Sequence, residues 1–254
     1  MIKKIIKKIL PNSFIKVIKN LITITKLFKF IKMSNSQIFE EIYTKKLWSP
    51  ENEKNNHKFY SGTGSHFEEF SGTYITRVKE FLSTFSNKPN VVDLGCGDFS
   101  IGSKLRKYCN SYIAIDIFDE LIERNKIHFK NHNVDFRVLD ITKDNLPSGD
   151  VCFVRQVLQH LSNKNIKKFL SQISGKYSYL ILTEHLPSFE KFKFNIDIIT
   201  GPEIRLHKKS GVVLTEEPFN LLPINEKIVC NISSKQILGF EGILNTKIYQ
   251  LKKE

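Results

Sequence analysis

The sequence predicts an α/β domain in which helices cover both faces of a seven-stranded, mostly parallel sheet, preceded by a helical N-terminal arm. Three observations predict this fold. From about residue 66 onward, short apolar runs alternate with amphipathic stretches, as in a series of right-handed β–α–β crossovers. One of the apolar runs leads directly into a glycine-rich turn. The chain has 254 residues, enough for one such domain and a small appendage.

These patterns allow the elements to be assigned in order. Strands are expected at 90–94, 111–115, 133–138, 150–154, 178–183, 227–232 and 245–251, and helices at 35–47, 66–86, 100–108, 117–129 and 162–173. We divide the chain into a basic arm (1–33), a helix with a polar linker (34–58) and the main α/β domain (59–254).

The arm alternates lysines with apolar residues at helical spacing, and Pro11 divides it into a short and a longer piece. Its apolar stripe would consist of Val17, Leu21, Ile24, Phe28 and Ile31. The arm is not expected to cross a bilayer, because its lysines recur every few positions. It either lies on an anionic membrane surface or packs its stripe on the domain. A targeting peptide is disfavoured, since arginine and a small-residue cleavage site are both missing from the arm.

The charge of the chain is concentrated in this arm. The formal net charge is +13, but residues 1–33 contain nine lysines and no acid, so removing these nine leaves only +4 on the rest. A specific nucleic-acid partner is therefore not expected. The four cysteines, at 96, 109, 152 and 230, form no CxxC pair, so we expect neither a metal site nor a disulfide framework. A cytoplasmic location is expected, with the arm able to hold the protein at the inner membrane face.

The most informative segment is residues 91–102, VVDLGCGDFSIG, an apolar strand that runs into a glycine-rich turn and then a helix. Glycines allow a sharp turn and let a ligand lie against the main chain. In open α/β sheets, ligands bind beyond the carboxyl ends of the strands. Asp93, Gly95, Cys96 and Gly97 are therefore candidate cofactor-binding residues.

Acids also follow the next two strands. Asp116, before Ile117, lies about 20 residues after the turn, where an acid can accept hydrogen bonds from both ribose hydroxyls. It could instead cap the following helix. After the third strand, Asp140 would suit the exocyclic amine of an adenine, and Ile141 would cover the face of its ring.

In combination, these residues resemble the class I S-adenosylmethionine-dependent methyltransferases, over about residues 60–254. The resemblance implies a Rossmann-like fold and S-adenosylmethionine as the cofactor. It assigns Asp93, Gly95 and Gly97 to the first motif, Asp116 to the ribose and Asp140 with Ile141 to the adenine.

The turn departs from the family at one position, because Phe99 stands where many members have a third glycine. Nicotinamide-binding Rossmann proteins need that glycine and a helix N-terminus that accepts a pyrophosphate. Asp98 in the turn would repel a phosphate, but it is compatible with a cationic sulfonium ligand.

The fourth strand leads into Arg155, Gln156 and a VLQHL string that ends at Leu161. The resemblance places this connection beside the methionine part of the cofactor and the methyl acceptor. The string is similar to that of small-molecule methyltransferases and lacks the Asn/Asp-Pro-Pro-Tyr/Phe tetrapeptide of amide methylation. His160 is a candidate general base, or a structural histidine at the start of a helix. Glu184 and His185, after the fifth strand, are further candidates for catalysis.

Two turn-rich segments remain. The segment before the first long helix could fold over the cofactor as a lid, through Ser61, Gly62 and Gly64. Alternatively, it ends in a capping box of Ser65 and Glu68. Between the fifth and sixth strands, Arg205 could bind an anionic acceptor or form a surface salt bridge.

The sequence thus predicts methyl transfer from S-adenosylmethionine to a small molecule, with a hydroxyl of a sugar or glycan precursor as the acceptor. Two alternatives stay open. One is a methyltransferase that acts on RNA or protein, and the other is a noncatalytic Rossmann-like binding protein.

Overall fold

The computed structural model describes residues 29–50, 59–189, 191–234 and 242–253. Its main sheet has seven strands in the order β3-β2-β1-β4-β5-β9-β8, of which the first five are parallel and the last two antiparallel to their neighbours. The strands are β1 Val91–Leu94, β2 Tyr112–Asp116, β3 Asp135–Val138, β4 Val151–Arg155, β5 Tyr179–Leu186, β6 Lys193–Phe194, β7 Ser210–Gly211, β8 Asn225–Ser233 and β9 Ile243–Gln250. The prediction of a seven-stranded, mostly parallel sheet is confirmed.

Strand β1 lies at the point where the order of the strands reverses. It pairs with β2 on one side and β4 on the other, and Asp93 is aligned with Ala114 and Phe153. A crevice opens at such a point beyond the carboxyl ends of the strands. The sheet topology therefore brings the ends of β1, β2 and β4 to one place.

Six α-helices lie in the described ranges. They are α1 Asn35–Thr44, α2 Thr63–His66, α3 Glu68–Leu82, α4 Gly102–Leu105, α5 Asp119–His128 and α6 Asn163–Ile173. Buried side chains of the elements pack on both faces of the sheet, in two apolar clusters.

Helix α1 is part of the domain core, although we predicted from the sequence that it belongs with the polar linker, in residues 34–58. It begins at Ser34, whose side chain forms a capping box with Gln37. Its buried residues Ile38, Phe39 and Ile42 join the apolar cluster on one face of the sheet. The helix therefore packs directly on the domain that the sequence placed at 59–254.

The predicted helix 66–86 is divided into α2 and α3 at Phe67, an extended residue. Phe67 occupies the cap position of α3 and makes no side-chain capping hydrogen bond. The proposed capping box of Ser65 and Glu68 is therefore wrong, because Ser65 lies within α2.

An insertion between β5 and β8 carries two short strands that the apolar pattern did not reveal. Strands β6 and β7 pair in parallel, with Lys193 opposite Ser210 and Phe194 opposite Gly211. A 3₁₀ turn at Arg205–Lys208 precedes β7. Two-residue strands are too short to show an alternating pattern.

Most of the arm lies outside the described residues, including Val17, Leu21, Ile24 and Phe28 of the expected stripe. Ile31 is described and is more than half exposed, whereas Phe30 is buried. Across the described ranges, we find no helix with the length and apolar character needed to span a membrane.

Candidate active site

A cavity of about 350 Å³ opens at the carboxyl ends of β1, β2 and β4. Its volume is typical of small-molecule sites. Its walls come from the glycine turn, the ends of the three strands, α1, the segment 61–65 and the insertion.

The glycine turn depends on its first two glycines. Gly95 and Gly97 have φ of +81° and +55°, a backbone conformation that favours glycine. A Cβ atom on Gly95 would lie 2.4 Å from Val157 Cγ2, and one on Gly97 would lie 2.4 Å from Ser61 Oγ. Both glycines therefore provide close approach to neighbouring segments as well as the turn.

The turn has Phe99 at the position where many members of the family have a third glycine. Phe99 adopts the left-handed conformation, with φ of +61°, and its ring is fully buried. The ring packs edge-on against Tyr112, Phe129 and Phe136, with centroids 5.0–5.4 Å apart. A Cβ on Gly102 would lie 2.3 Å from this ring, so the glycine that fits the turn lies three residues further on.

Asp116, the predicted ribose ligand, ends β2 and lines the cavity. Its Oδ2 accepts a hydrogen bond from Gly97 N at 2.9 Å, and its Oδ1 accepts one from Ile117 N at 2.8 Å. Burial raises the pKa of this carboxyl. Oδ1 also accepts a hydrogen bond from Phe118 N at 3.3 Å. The same side chain thus fixes the glycine turn and the start of the next segment, and its Oδ2 keeps a lone pair for a ligand.

Asp140 and Ile141, the predicted adenine pair, also line the cavity. Asp140 Oδ1 accepts hydrogen bonds from Thr142 N at 2.9 Å and from Thr142 Oγ1 at 2.8 Å. Asn35 of α1 reaches the same group, with Nδ2 at 3.3 Å from Asp140 Oδ2. Ile141 is buried, so an apolar surface lies beside a polar cluster that can recognise a base.

Asp93 is the third acid of the cavity. It accepts a hydrogen bond from Tyr112 Oη at 2.8 Å, and burial raises its pKa to about 7. The acids that follow or end three neighbouring strands therefore line one cavity.

The segment that contains Ser61, Gly62 and Gly64 covers the glycine turn and lines the cavity. Ser61 Oγ accepts a hydrogen bond from Asp98 N at 2.7 Å. His66 Nε2 lies 2.7 Å from Asp98 Oδ2. Burial alone would raise the pKa of Asp98, but the hydrogen bond with His66 outweighs it and the pKa is lowered. We call residues 61–66 the lid segment.

Arg155 binds the lid segment at Gly64 and Ser65. Its Nη2 donates to the carbonyl of Gly64 at 2.6 Å and its Nη1 donates to Ser65 Oγ at 3.2 Å. Its Nε is buried and has no hydrogen-bond partner among the described residues. A Cβ on Gly64 would lie 2.0 Å from Gln156 Oε1, so the lid segment and the end of β4 are in close contact. Arg155 thus holds the lid segment through both of its terminal nitrogens.

His160 lines the cavity next to the indole of Trp48, with ring centroids 4.6 Å apart. Its Nδ1 lies 3.3 Å from the carbonyl oxygen of Glu203, and its Nε2 lies 3.2 Å from Gln159 Nε2. Burial lowers the pKa of His160 to about 4. The imidazole is therefore neutral near pH 7.

Glu184 and His185 point to opposite faces of β5, as neighbours in a strand do. His185 lines the cavity, and its Nε2 lies 2.8 Å from Ser234 Oγ. Glu184 does not line it. Its Oε1 accepts a hydrogen bond from Leu158 N at 3.0 Å, and burial raises its pKa to about 8. The prediction of a catalytic role for Glu184 is wrong, because its carboxyl lies beneath the turn that carries His160.

The prediction that Arg205 binds the acceptor is also wrong, because all five N–H groups of its guanidinium have partners within the protein. This side chain is only 1% exposed. Its hydrogen-bond acceptors are the carbonyls of Ile196, Leu158, Gln159 and Leu161 and the Oδ1 of Asn163. Arg205 therefore holds the backbone after β4 and has no donor left for an anion.

Sequence reasoning missed the contribution of α1 and the residues that follow it. Asn35, Phe39, Tyr43 and Trp48 all line the cavity. Burial raises the pKa of Tyr43 well above its ordinary value, so its hydroxyl stays protonated. The amphipathic pattern of α1 was visible in the sequence, but no spacing connected it with motifs more than 40 residues away.

In the described ranges, no three His, Cys, Asp or Glu side chains come together in a way that could hold a metal ion.

Comparison with known proteins supports the same assignment. A model of a methyltransferase domain matches residues 91–175, which contain the glycine turn and both following acids. The N-methyltransferase NodS from Bradyrhizobium japonicum WM9, solved with S-adenosyl-L-homocysteine, superposes with a TM-score of 0.56 at 13% identity, over 85% of this chain and 99% of its own. Magnesium protoporphyrin IX methyltransferase from Synechocystis PCC 6803, with bound S-adenosylmethionine, gives 0.53 at 12% identity, over 86% and 98%. No curated protein matches the sequence.

The fold and the site together define a Rossmann-like methyltransferase domain. Residues 91–175 match a methyltransferase domain, and the chain has the fold of class I S-adenosylmethionine-dependent methyltransferases. S-adenosylmethionine, which one of these two structures holds, is the cofactor that this fold implies.

The cavity fits that group, because the left-handed glycine turn leaves room beside Gly95 and Gly97 and two acids with apolar neighbours follow on β2 and β3. The buried Asp98 beside the turn suits a cation rather than a phosphate.

Proposed function

We propose that this enzyme methylates a hydroxyl group of a small molecule, with a sugar or glycan precursor as the acceptor class. The observation that carries the proposal is the protonation pattern of His160 in the wall of the cavity. A carbonyl oxygen can only accept a hydrogen bond, so the contact with Glu203 places the proton on Nδ1. Nε2 is then an acceptor that faces the amide of Gln159.

The neutral imidazole can accept the hydrogen bond of an acceptor hydroxyl at Nε2 when that hydroxyl takes the place of the Gln159 amide. When bound, S-adenosylmethionine would supply a methyl group that is attached to a sulfonium, and its leaving group would be a neutral thioether. Transfer of that methyl group to the oxygen would form an O–C bond, break the S–C bond and make the hydroxyl proton strongly acidic. A base with a pKa of about 4 is then sufficient, and the proton passes to His160 Nε2 and on to water.

His160 is the proposed base in preference to His185. Both line the cavity, and burial lowers the pKa of each to about 4. The Nε2 of His185 lies 2.8 Å from the buried Ser234 hydroxyl, a closer contact than the 3.2 Å between His160 Nε2 and the Gln159 amide. By contrast, His160 lies beside the half-buried indole of Trp48, which could pack on the apolar face of a sugar ring.

The size and cover of the cavity support a small acceptor. Helix α1 and the lid segment form part of its walls, and residues Pro202, Ile204 and His207 of the insertion form another part. In-line displacement at a sulfonium depends mainly on holding donor and acceptor in line and excluding water. A walled cavity of this kind meets both needs better than an open surface for RNA or a protein chain.

The test is methyl transfer by the full-length enzyme to panels of sugar nucleotides, lipid-linked sugars, RNA and protein, with the demethylated cofactor product and the product masses as readouts. We expect a methylated hydroxyl compound. His160→Gln should lower kcat by about 10²–10⁴-fold without changing the affinity for S-adenosylmethionine. The matched control is His207→Gln, in the same wall but largely exposed, which should keep kcat.

Three results would contradict the proposal. Methylation of RNA or protein alone would identify a different acceptor class. Cofactor binding without turnover on any panel would favour a noncatalytic binding protein. An unchanged kcat in His160→Gln would remove the assigned base.

A further inference from the structure

The insertion carries an exposed cluster of phenylalanines and lysines that the methyl-transfer site does not use. Residues 189–194 read FEKFKF. Phe189 and Phe194 each expose 42% of their surface. The ring of Phe192 lies between them, with centroids 6.3 Å from Phe189 and 5.0 Å from Phe194. We call Phe189, Lys191, Phe192, Lys193 and Phe194 the aromatic–basic patch.

The backbone of the insertion adds a further cation to this patch. Lys191 and Lys193 are exposed. Lys193 is aligned with Ser210, the first residue of the neighbouring strand β7, and the exposed Lys209 directly precedes that strand at the end of the 3₁₀ turn. Three ammonium groups thus accompany three aromatic rings on a ribbon of two short strands.

Exposed aromatic rings next to lysines have the chemistry of an interfacial membrane anchor. Aromatic and other apolar side chains enter the boundary between headgroups and acyl chains, and lysines stay at the level of anionic headgroups. An aromatic ring that stays exposed to water does not gain the free energy that comes from removing apolar surface from water. The alternation of both residue types in one short exposed segment therefore favours a lipid surface over plain solvent.

The patch and the arm both combine lysines with apolar side chains, and residues at the end of the arm contact the insertion that carries the patch. The arm alternates nine lysines with apolar residues. The chain enters the described structure at residues 29–31, where Phe30 is buried next to Gly201 of the insertion. The charge of both segments is complementary to an anionic surface.

We propose that the aromatic–basic patch is a second docking surface for an anionic lipid membrane, distinct from the arm. The phenylalanine rings insert at the headgroup boundary, and Lys191, Lys193 and Lys209 bind lipid phosphates or carboxylates. The insertion also supplies Pro202, Ile204 and His207 to the wall of the cavity. Docking through it therefore brings that part of the cavity wall toward the membrane side. This surface does not depend on which acceptor the enzyme methylates.

The test uses the full chain with vesicles of phosphatidylcholine alone or mixed with phosphatidylglycerol. Sedimentation gives the partition coefficient, and hydrogen–deuterium exchange locates the contact. We expect slower exchange in residues 187–195 with the anionic vesicles only. With each lysine contributing about 1 kcal/mol, Lys191→Gln with Lys193→Gln should weaken partitioning roughly 30-fold. Phe189→Ser with Phe194→Ser should also weaken it.

The matched control is Leu222→Ser with Ile224→Ser, two exposed apolar residues near the start of β8, which should partition like the wild type. All these side chains are exposed, so circular dichroism should show unchanged folding. Three results would overturn the proposal: slower exchange confined to the arm, equal binding to neutral and anionic vesicles, or wild-type partitioning of both double variants.

Discussion

Gly97→Ala tests whether the glycine turn and the lid segment form one unit. The residue has φ of +55°, where a side chain costs about 1–2 kcal/mol. The new Cβ would lie 2.4 Å from Ser61 Oγ, so Ser61 must withdraw by about 1 Å to reach ordinary contact. That movement breaks its hydrogen bond from Asp98 N, worth ~0.5–1.5 kcal/mol. The free energy of unfolding should therefore fall by roughly 1.5–3.5 kcal/mol, the sum of these two costs.

The same substitution should weaken cofactor binding, because Gly97 N donates to Asp116 Oδ2. Calorimetry should show a dissociation constant for S-adenosylmethionine raised at least about tenfold, and urea unfolding should give the stability. The control is Gly72→Ala within α3. Its nearest neighbour would be Glu68 Cγ at 3.8 Å, so a gain of about 0.5–1 kcal/mol is expected. Wild-type stability and affinity in Gly97→Ala would refute the reasoning.

Four further perturbations have defined outcomes. The raised pKa of Glu184, about 8, means that the folded state keeps a proton which the unfolded state loses above about pH 4.5. Urea unfolding should therefore show the wild type losing stability relative to Glu184→Gln as the pH rises toward 8, and parallel curves would contradict the assignment. Arg205→Lys should lower Tm through loss of several carbonyl contacts, each worth about 1–3 kcal/mol; a raised KM for the acceptor at unchanged Tm would restore an acceptor-binding role. His66→Gln should loosen the lid segment and raise the dissociation constant for S-adenosylmethionine in calorimetry. An unchanged constant would show that the contact between His66 and Asp98 does not contribute to cofactor binding. Removing residues 1–28 should reduce sedimentation with anionic vesicles, whereas equal pelleting would exclude a membrane role for the arm.

The parallel part of the sheet could be predicted because each buried strand is a short apolar run followed by a turn. Glycine and acid positions after β1, β2 and β3 sufficed to predict one cofactor site, since parallel strands present their carboxyl ends at the same edge. The motif formed by Asp93, Gly95 and Gly97 lies within five residues of the chain, so its spacing can be read directly from the sequence. The parallel sheet and this motif could therefore be predicted without coordinates.

Other parts of the site depend on tertiary contacts that spacing does not encode. Asn35 meets Asp140 across more than 100 residues, and Trp48 reaches His160 in the same way. The alternation of a strand also predicts that Glu184 and His185 face apart, but only packing decides which of them reaches the cavity.

The positions of Arg205 and Glu184 explain how a short turn can hold a base in place. Arg205 donates to the carbonyls of Leu158, Gln159 and Leu161, and Glu184 accepts from the N–H of Leu158. The carbonyl of His160 is bound by Gly201 N at 3.0 Å. The backbone that carries His160 is thus fixed through its acceptors and its donors, and the imidazole lines the cavity. Arg205 and Glu184, which resembled catalysts in the sequence because they are polar and follow strands, act here as backbone ligands, and the turn that they fix sets the position of the proposed base, His160.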